Sequence, residues 1–257
     1  MKNPIIVIGL GELGSVFARG FLKLGYPVQG ITRSMPVQDI AQQVPNPTAV
    51  LVSVGEADIA NVLANIPTEW KDKLILIQNE LLERDWLAAN IADPTVISVW
   101  FEKKKGMDSK VVIPSPVYGQ NATLVSDALG TLDLPSYILD SVEELNYELV
   151  RKNLYILTTN ISGLEVGGNV DELNQKHNDV MQTVANDVLD IQDWLTGAKS
   201  DRPRLVEGMI EAFNGDPQHG CMGRTAPIRL TRALGFADQA GLEVSKLRAI
   251  AATHLST

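Results

Sequence analysis

The chain has 257 residues, 45% of them hydrophobic, and 31 Asp and Glu against 22 Lys and Arg give it a formal net charge of −9. That is enough chain for one large or two modest domains with a real core, while the acidic balance and the lack of a basic stripe argue against nucleic acid as a partner. One cysteine, Cys221, excludes an internal disulfide and fits a reducing, cytoplasmic setting; no charged-then-apolar leader and no apolar run of ~18 residues points to export or membrane insertion.

The first element is Ile5-Ile6-Val7-Ile8, a run of apolar β-formers that reads as a strand buried on both faces. Gly9-Leu10-Gly11-Glu12-Leu13-Gly14 follows at once, and Ser15 to Leu24 reads as a helix with Val16, Phe17, Gly20, Phe21 and Leu24 on one face. Strand, glycines and helix in this order form a dinucleotide-binding fingerprint. Gly9 permits the tight turn, Gly11 lets backbone approach a pyrophosphate, and Gly14 lets helix pack on strand. A second strand spans Tyr26 to Arg33. An NAD site usually carries an acid at its end; here stand Thr32, Arg33 and Ser34, and a guanidinium beside two hydroxyls suits a 2′-phosphate dianion. NADP is therefore the expected cofactor.

Ala49 to Val54 is a third apolar strand, and Gly55-Glu56-Ala57-Asp58 opens a helix that runs to about Asn65. Lys73 to Gln78 is a fourth strand, followed by Asn79 and a helix expected over Glu80 to Ile91. Thr95 to Phe101 is a fifth strand. Strands alternating with helices at this spacing predict a doubly wound, mostly parallel sheet. Ligands in such sheets bind beyond the carboxyl ends of strands, which sets the glycine loop, Arg33, Ser53, Val54, Gly55 and Asn79 along one rim. Lys103-Lys104-Lys105 reads as a solvated hairpin. A strand over Lys110 to Ile113 is expected to break at Pro114, Pro116 and Gly119; a helix over Asn121 to Leu129 and an edge strand over Ser136 to Leu139 complete this half.

From Ser141 the pattern is helical. Ser141-Val142-Glu143-Glu144 has capping-box form and starts a helix to about Gly163. A second long helix is expected over Asp171 to Leu195, and three shorter ones over Pro203 to Phe213, Pro227 to Gln239 and about Val244 to Leu255. The fold class is thus α/β, with an N-terminal Rossmann domain over residues 1–140 and an all-α domain over 141–257 for substrate binding and homodimer formation. The three histidines, His177, His219 and His254, lack ligand spacing, so no metal is expected. On the first helix of the second half, Lys152, Ile156, Thr159 and Asn160 share a face. Lysine could protonate a forming alkoxide, and Asn160 could hold a substrate hydroxyl or carboxylate. A lysine on an amphipathic helix is more often solvated.

This layout resembles the ketopantoate reductase family, whose members join a Rossmann domain to a helical domain like that of 6-phosphogluconate dehydrogenases. The resemblance covers most of the chain. It rests on Gly9-Leu10-Gly11-Glu12-Leu13-Gly14, on Arg33, on Asn79 after Leu74-Ile75-Leu76-Ile77-Gln78, and on Glu148-Leu149-Val150-Arg151-Lys152 followed by Asn160. It implies an NADP-dependent oxidoreductase reducing a 2-oxo acid or related carbonyl. Lys152 would be its general acid, Asn79 would lie near nicotinamide and substrate, Asn160 would bind substrate, and Arg33 would meet the 2′-phosphate. The segment Met222-Gly223-Arg224-Thr225 falls near where the family carries a carboxylate.

The chain departs from the family at Gly55 (commonly lysine), Glu80 (commonly glycine), Val150 (commonly aromatic) and Ile156 (commonly asparagine). Two polar contacts to a small hydroxy-oxo-acid are lost, and sites built to pair such groups discriminate by orders of magnitude. A less polar oxo acid is the expected substrate. A second reading stands beside it: an NADP(H)-binding protein with a degenerate, non-catalytic substrate site, acting as a sensor or partner subunit.

Overall fold

The computed structural model describes residues 2–255, and the chain divides into two compact units, one reaching to Glu148 and the other starting at Leu149. Among the described residues of the first unit, the strands are β1 (Ile5–Ile8), β2 (Val28–Ile31), β3 (Ala49–Val52), β4 (Leu74–Leu76), β5 (Thr95–Ile97), β6 (Phe101–Glu102), β7 (Lys110–Val111), β8 (Ser115–Tyr118) and β9 (Ser136–Ile138). Seven of them form one sheet in the order β2-β1-β3-β4-β5-β8-β9, and β6 and β7 form a separate ribbon. The strands from β2 to β5 run parallel, β8 pairs antiparallel to β5, and β9 pairs parallel to β8. Chain order reverses at β1, which lies between β2 and β3.

Ile5, Ile6, Val7 and Ile8 are all buried, as are all four residues of β3. Successive strand side chains point to opposite faces, so both faces of the sheet are covered. On one face α1 (Glu12–Lys23) and α5 (Ala122–Gly130) bring Val16, Phe17, Phe21, Val125 and Leu129 onto Ile5, Val7, Leu51 and Ile75. The shorter helices of this unit are α2 (Val37–Gln43), α3 (Ile59–Ala64) and α4 (Glu83–Leu87), with a 3₁₀ turn over Thr68–Lys73. Trp70 of that turn is fully buried, and its Nε1 donates to Val44 O at 3.0 Å.

Three expectations are corrected here. The fifth strand stops at Ile97, and Phe101 belongs to the ribbon. Pro116 lies inside β8 rather than ending a strand. One fact explains both. Ser98 N donates to Pro116 O at 3.1 Å, but proline has no N–H to return the second bond of an antiparallel pair. The ladder ends there, and Trp100 N takes the Ser115 hydroxyl instead, at 2.9 Å. The helix expected over Glu80 to Ile91 is reduced to Glu83–Leu87, because Asn79 N and Glu80 N donate to Glu56 Oε1 at 2.7 and 3.4 Å and hold that stretch as a loop.

The helices of the second part are α6 (Val142–Val166), α7 (Val170–Lys176), α8 (Asn178–Thr196), α9 (Arg202–Gly215), α10 (Ala226–Ala240) and α11 (Ser245–His254). The division between units falls inside α6. From Glu148 to Gly163, every residue of α6 is buried except Ile156, unlike a surface helix, which buries one face. The long helix expected over Asp171 to Leu195 is two helices. His177, at φ −129° and ψ 34°, leaves the helical region, and Asn178 Nδ2 donates to Asn174 O at 3.3 Å, the kind of local side-chain bond by which Asn competes with a helix backbone. Among the described residues, no helix is long and apolar enough to cross a membrane.

Candidate functional site

The parallel registers set the strand ends level. Ile8 of β1 lies opposite Ile31 of β2 and Val52 of β3, and Val52 lies opposite Leu76 of β4. The residues that follow each strand therefore emerge on one edge. Gly9 N donates to Ile31 O at 2.9 Å and Ser53 N to Ile8 O at 2.8 Å, extending the ladder by one rung. Where the chain order reverses, beyond these ends, lies a cleft of about 680 Å³. Its lining includes Gly9, Leu10, Gly11, Thr32, Arg33, Ser53, Val54 and Gly55, with Ile8, Ile31, Met35, Val37, Asp58, Asn61, Val62 and Asn65.

The glycines take the geometry the fingerprint requires. Gly9 has φ +94°, and a Cβ there would meet Ser53 C at 2.9 Å, so no other residue fits without strain. A Cβ on Gly14 would meet the Gly9 carbonyl and, at 3.1 Å, Ser53 Oγ, so α1 packs directly on the loop. A Cβ on Gly11 would meet nothing within 4 Å, which leaves open the space before α1 where first-turn N–H groups lack helical acceptors. Gly11 is the N-cap, and Ser15 N donates to its carbonyl at 2.9 Å. This cradle fits the pyrophosphate of a dinucleotide.

Of the other residues expected at the cofactor, Glu12, Leu13, Gly14, Ser34 and Asn79 do not line the cleft. Glu12 pairs with Lys103 at 3.5 Å, so Lys103 ties the ribbon to the start of α1, and the solvated-hairpin reading holds only for Lys104 and Lys105, both exposed. Ser34 Oγ lies 3.3 Å from Thr32 Oγ1. Arg33 is 94% exposed and pairs with Asp58 at 3.0 Å. Asn79 stands on the same sheet edge beyond β4. Its backbone is gripped by Glu56, while Gln78 Nε2 donates to Val52 O at 2.9 Å and couples the ends of β3 and β4.

In the second unit, Lys152 and Asn160 are each 6% exposed, so the solvated reading of Lys152 does not hold. The Lys152 ammonium lies 5.6 Å from the centre of the Tyr155 ring, a cation–π distance. Arg151, next in sequence, is structural: its Nε donates to Gly208 O at 2.9 Å and its Nη2 pairs with Glu211 at 2.9 Å. Asn160 Oδ1 accepts from Arg229 Nη1 at 2.9 Å and from Gly223 N at 3.4 Å. Two donors on that atom fix the amide orientation. Gly163 allows the loop carrying Gly223 to approach α6, since a Cβ there would meet Met222 Cβ at 2.9 Å and Cys221 Cβ at 3.0 Å.

Asp58 and Arg229 are the residues that sequence reasoning missed. Asp58 was in view only as part of a helix start, and Arg229 carried no motif; each gains meaning through a partner distant in sequence. Cys221 is buried and unpaired. Burial, and then the Glu172 carboxylate, push its thiol up to about 11 from an ordinary 9.0. Among the described residues, no group of three or more His, Cys, Asp or Glu is placed to hold a metal.

No protein-family sequence model matches the chain, and no curated protein matches it. Solved structures do match its fold over nearly the whole length. A ketopantoate reductase from Ralstonia eutropha is similar with a TM-score of 0.67 at 14% identity, over 98% of this chain and 97% of that one. The 2-dehydropantoate 2-reductase from Methylococcus capsulatus is similar with a TM-score of 0.67 at 12% identity, over 97% and 95%. D-mandelate dehydrogenase, solved with NADH, is similar with a TM-score of 0.67 at 14% identity, over 100% and 98%. The chain has the ketopantoate reductase fold, and its N-terminal sheet and C-terminal helices are those of that architecture.

Proposed function

We propose that the protein is a nicotinamide-dinucleotide-dependent oxidoreductase that reduces a 2-oxo acid or related carbonyl, with NADP as the cofactor and Lys152 as the general acid. One observation carries the reading: in a chain of this fold, one unit has an open, glycine-lined cleft at the strand switch point, and the other has a buried lysine about two turns before a buried asparagine. The Gly9–Gly14 loop and the first turn of α1 would hold the pyrophosphate, with Thr32, Arg33 and Ser34 at the ribose phosphate and Ser53, Val54 and Gly55 along the wall. The bound cofactor supplies the hydride.

The protein's own part is to bind, orient and protonate. Lys152 Nζ donates a proton to the carbonyl oxygen as negative charge develops on it, and burial strengthens that interaction. Asn79 and Asn160 orient the substrate. Because Arg229 and Gly223 N occupy Asn160 Oδ1 and Asn160 Nδ2 donates to Thr159 Oγ1 at 3.4 Å, the second N–H of the amide is the group offered, which suits a carboxylate or carbonyl acceptor. Gly55 and Ile156 remove polar contacts on the substrate side, which favours a less polar oxo acid than ketopantoate. That some proteins of this fold act on mandelate supports such a substrate. A reducing cytoplasmic setting and a homodimer belong to the same reading.

The test is NADPH oxidation over a panel of 2-oxo acids graded from hydroxylated to aliphatic and aromatic side chains. Turnover is expected on at least one, with the apolar members ahead of ketopantoate. Tight NADPH binding with no turnover on any carbonyl would contradict catalysis and support the sensor or partner-subunit reading.

A further inference from the structure

Arg33 and Asp58 carry the only charges among the residues lining the cleft, and they are paired with each other. Arg33 follows β2, and Asp58 precedes α3 and comes from the wall beyond β3, so the contact spans the switch point. Arg33 Nη2 donates to Asp58 Oδ2 at 3.0 Å. Asp58 makes no side-chain capping bond to α3, so the helix start does not account for its carboxylate. The ribose end of the cleft thus presents a compensated pair rather than a lone cation.

We infer that Asp58 is a specificity-determining residue for the cofactor, working against Arg33, so that the cleft's preference for NADPH over NADH is about tenfold smaller than Arg33 alone would give. The inference rests on the dinucleotide reading of the cleft. A guanidinium alone favours a 2′-phosphate dianion, whereas a carboxylate favours the unphosphorylated ribose, whose hydroxyls it can accept from. With both present, a 2′-phosphate drawn to Arg33 meets the Asp58 charge a few ångströms away. Like charges at that spacing in a water-exposed site cost about tenfold in affinity. Side-chain exposures of 94% for Arg33 and 46% for Asp58 make the effect sensitive to salt.

The experiment is direct binding of NADPH and NADH, by calorimetry, to the full chain and to its Asp58→Asn, Asp58→Ser and Arg33→Ala variants, at low and high salt. Asp39→Asn, an exposed acid of α2 outside the cleft lining, controls for net charge, and thermal melts check folding. The wild type should bind NADPH more tightly than NADH, but by no more than about tenfold. Asp58→Asn and Asp58→Ser should each shift the ratio toward NADPH by about tenfold at low salt, and less at high salt. Arg33→Ala should shift it the other way, and Asp39→Asn should leave it in place. A ratio unmoved by both Asp58 substitutions, or moved equally by Asp39→Asn, overturns the inference while leaving the dinucleotide site intact. Failure of the wild type to bind either nucleotide overturns the dinucleotide reading itself, and this inference with it.

Discussion

Lys152 and Arg33 show how little a residue's type says about its use. Lysines are rarely fully buried, yet Lys152 is 6% exposed beside Tyr155, while Arg33, expected at a phosphate, is 94% exposed and held by Asp58. Burial was not legible at Lys152, because α6 is enclosed on nearly every side and its polar residues show no amphipathic stripe that would separate inside from outside. The chemistry of Cys221 follows from its surroundings. With the thiol pushed up to about 11, little reactive thiolate forms near neutrality. Alkylation by iodoacetamide at about pH 8 should therefore be far slower in the native protein than in urea. A native rate equal to the unfolded rate would contradict this. The sign for stability follows. The folded state keeps a proton that the unfolded chain gives up, so this contribution is complete below the ordinary value of 9.0 and is lost as pH rises toward about 11.

The turn between α8 and α9 is held by one carboxylate. Asp193, 6% exposed, accepts from Ser200 N at 2.9 Å, pairs with Arg202 at 2.9 Å and with Lys199 at 3.3 Å, and Arg202 also pairs with Asp190 at 2.7 Å. Burial opposes ionisation of Asp193, but the bonds from Ser200, Arg202 and Lys199 outweigh it and hold the carboxyl below its usual range. A depressed acid contributes stability above its unfolded value, which is lost as pH falls through the folded one. Asp193→Asn should cost on the order of 2 kcal/mol at neutral pH and flatten the decline in melting temperature below about pH 4. An unchanged acid limb would show that the cluster does not hold the junction. At this scale the apolar strands and the α1 fingerprint were legible because periodicity and glycine spacing are local. The short α4, the strand around Pro116 and the break at His177 were not, since each depends on a hydrogen bond to a side chain or on one that proline cannot make.

For the whole molecule, the α/β architecture followed by helices was legible from the alternation of strand and helix patterns, and solved structures at 12–14% identity share it. That the residues after β1, β2 and β3 share one edge was legible too, because parallel strands of matching register end level. The surroundings of Asn160 were less so: its partner is Arg229, which is distant in sequence and belongs to no motif. The proposed reaction turns on Lys152 as the proton donor. The most direct measurement is single-turnover reduction of the best oxo acid by wild type and Lys152→Ala, with NADPH affinity measured on both. The rate should fall by about 10²–10⁴-fold with the NADPH dissociation constant unchanged. Equal rates for the two proteins would contradict it.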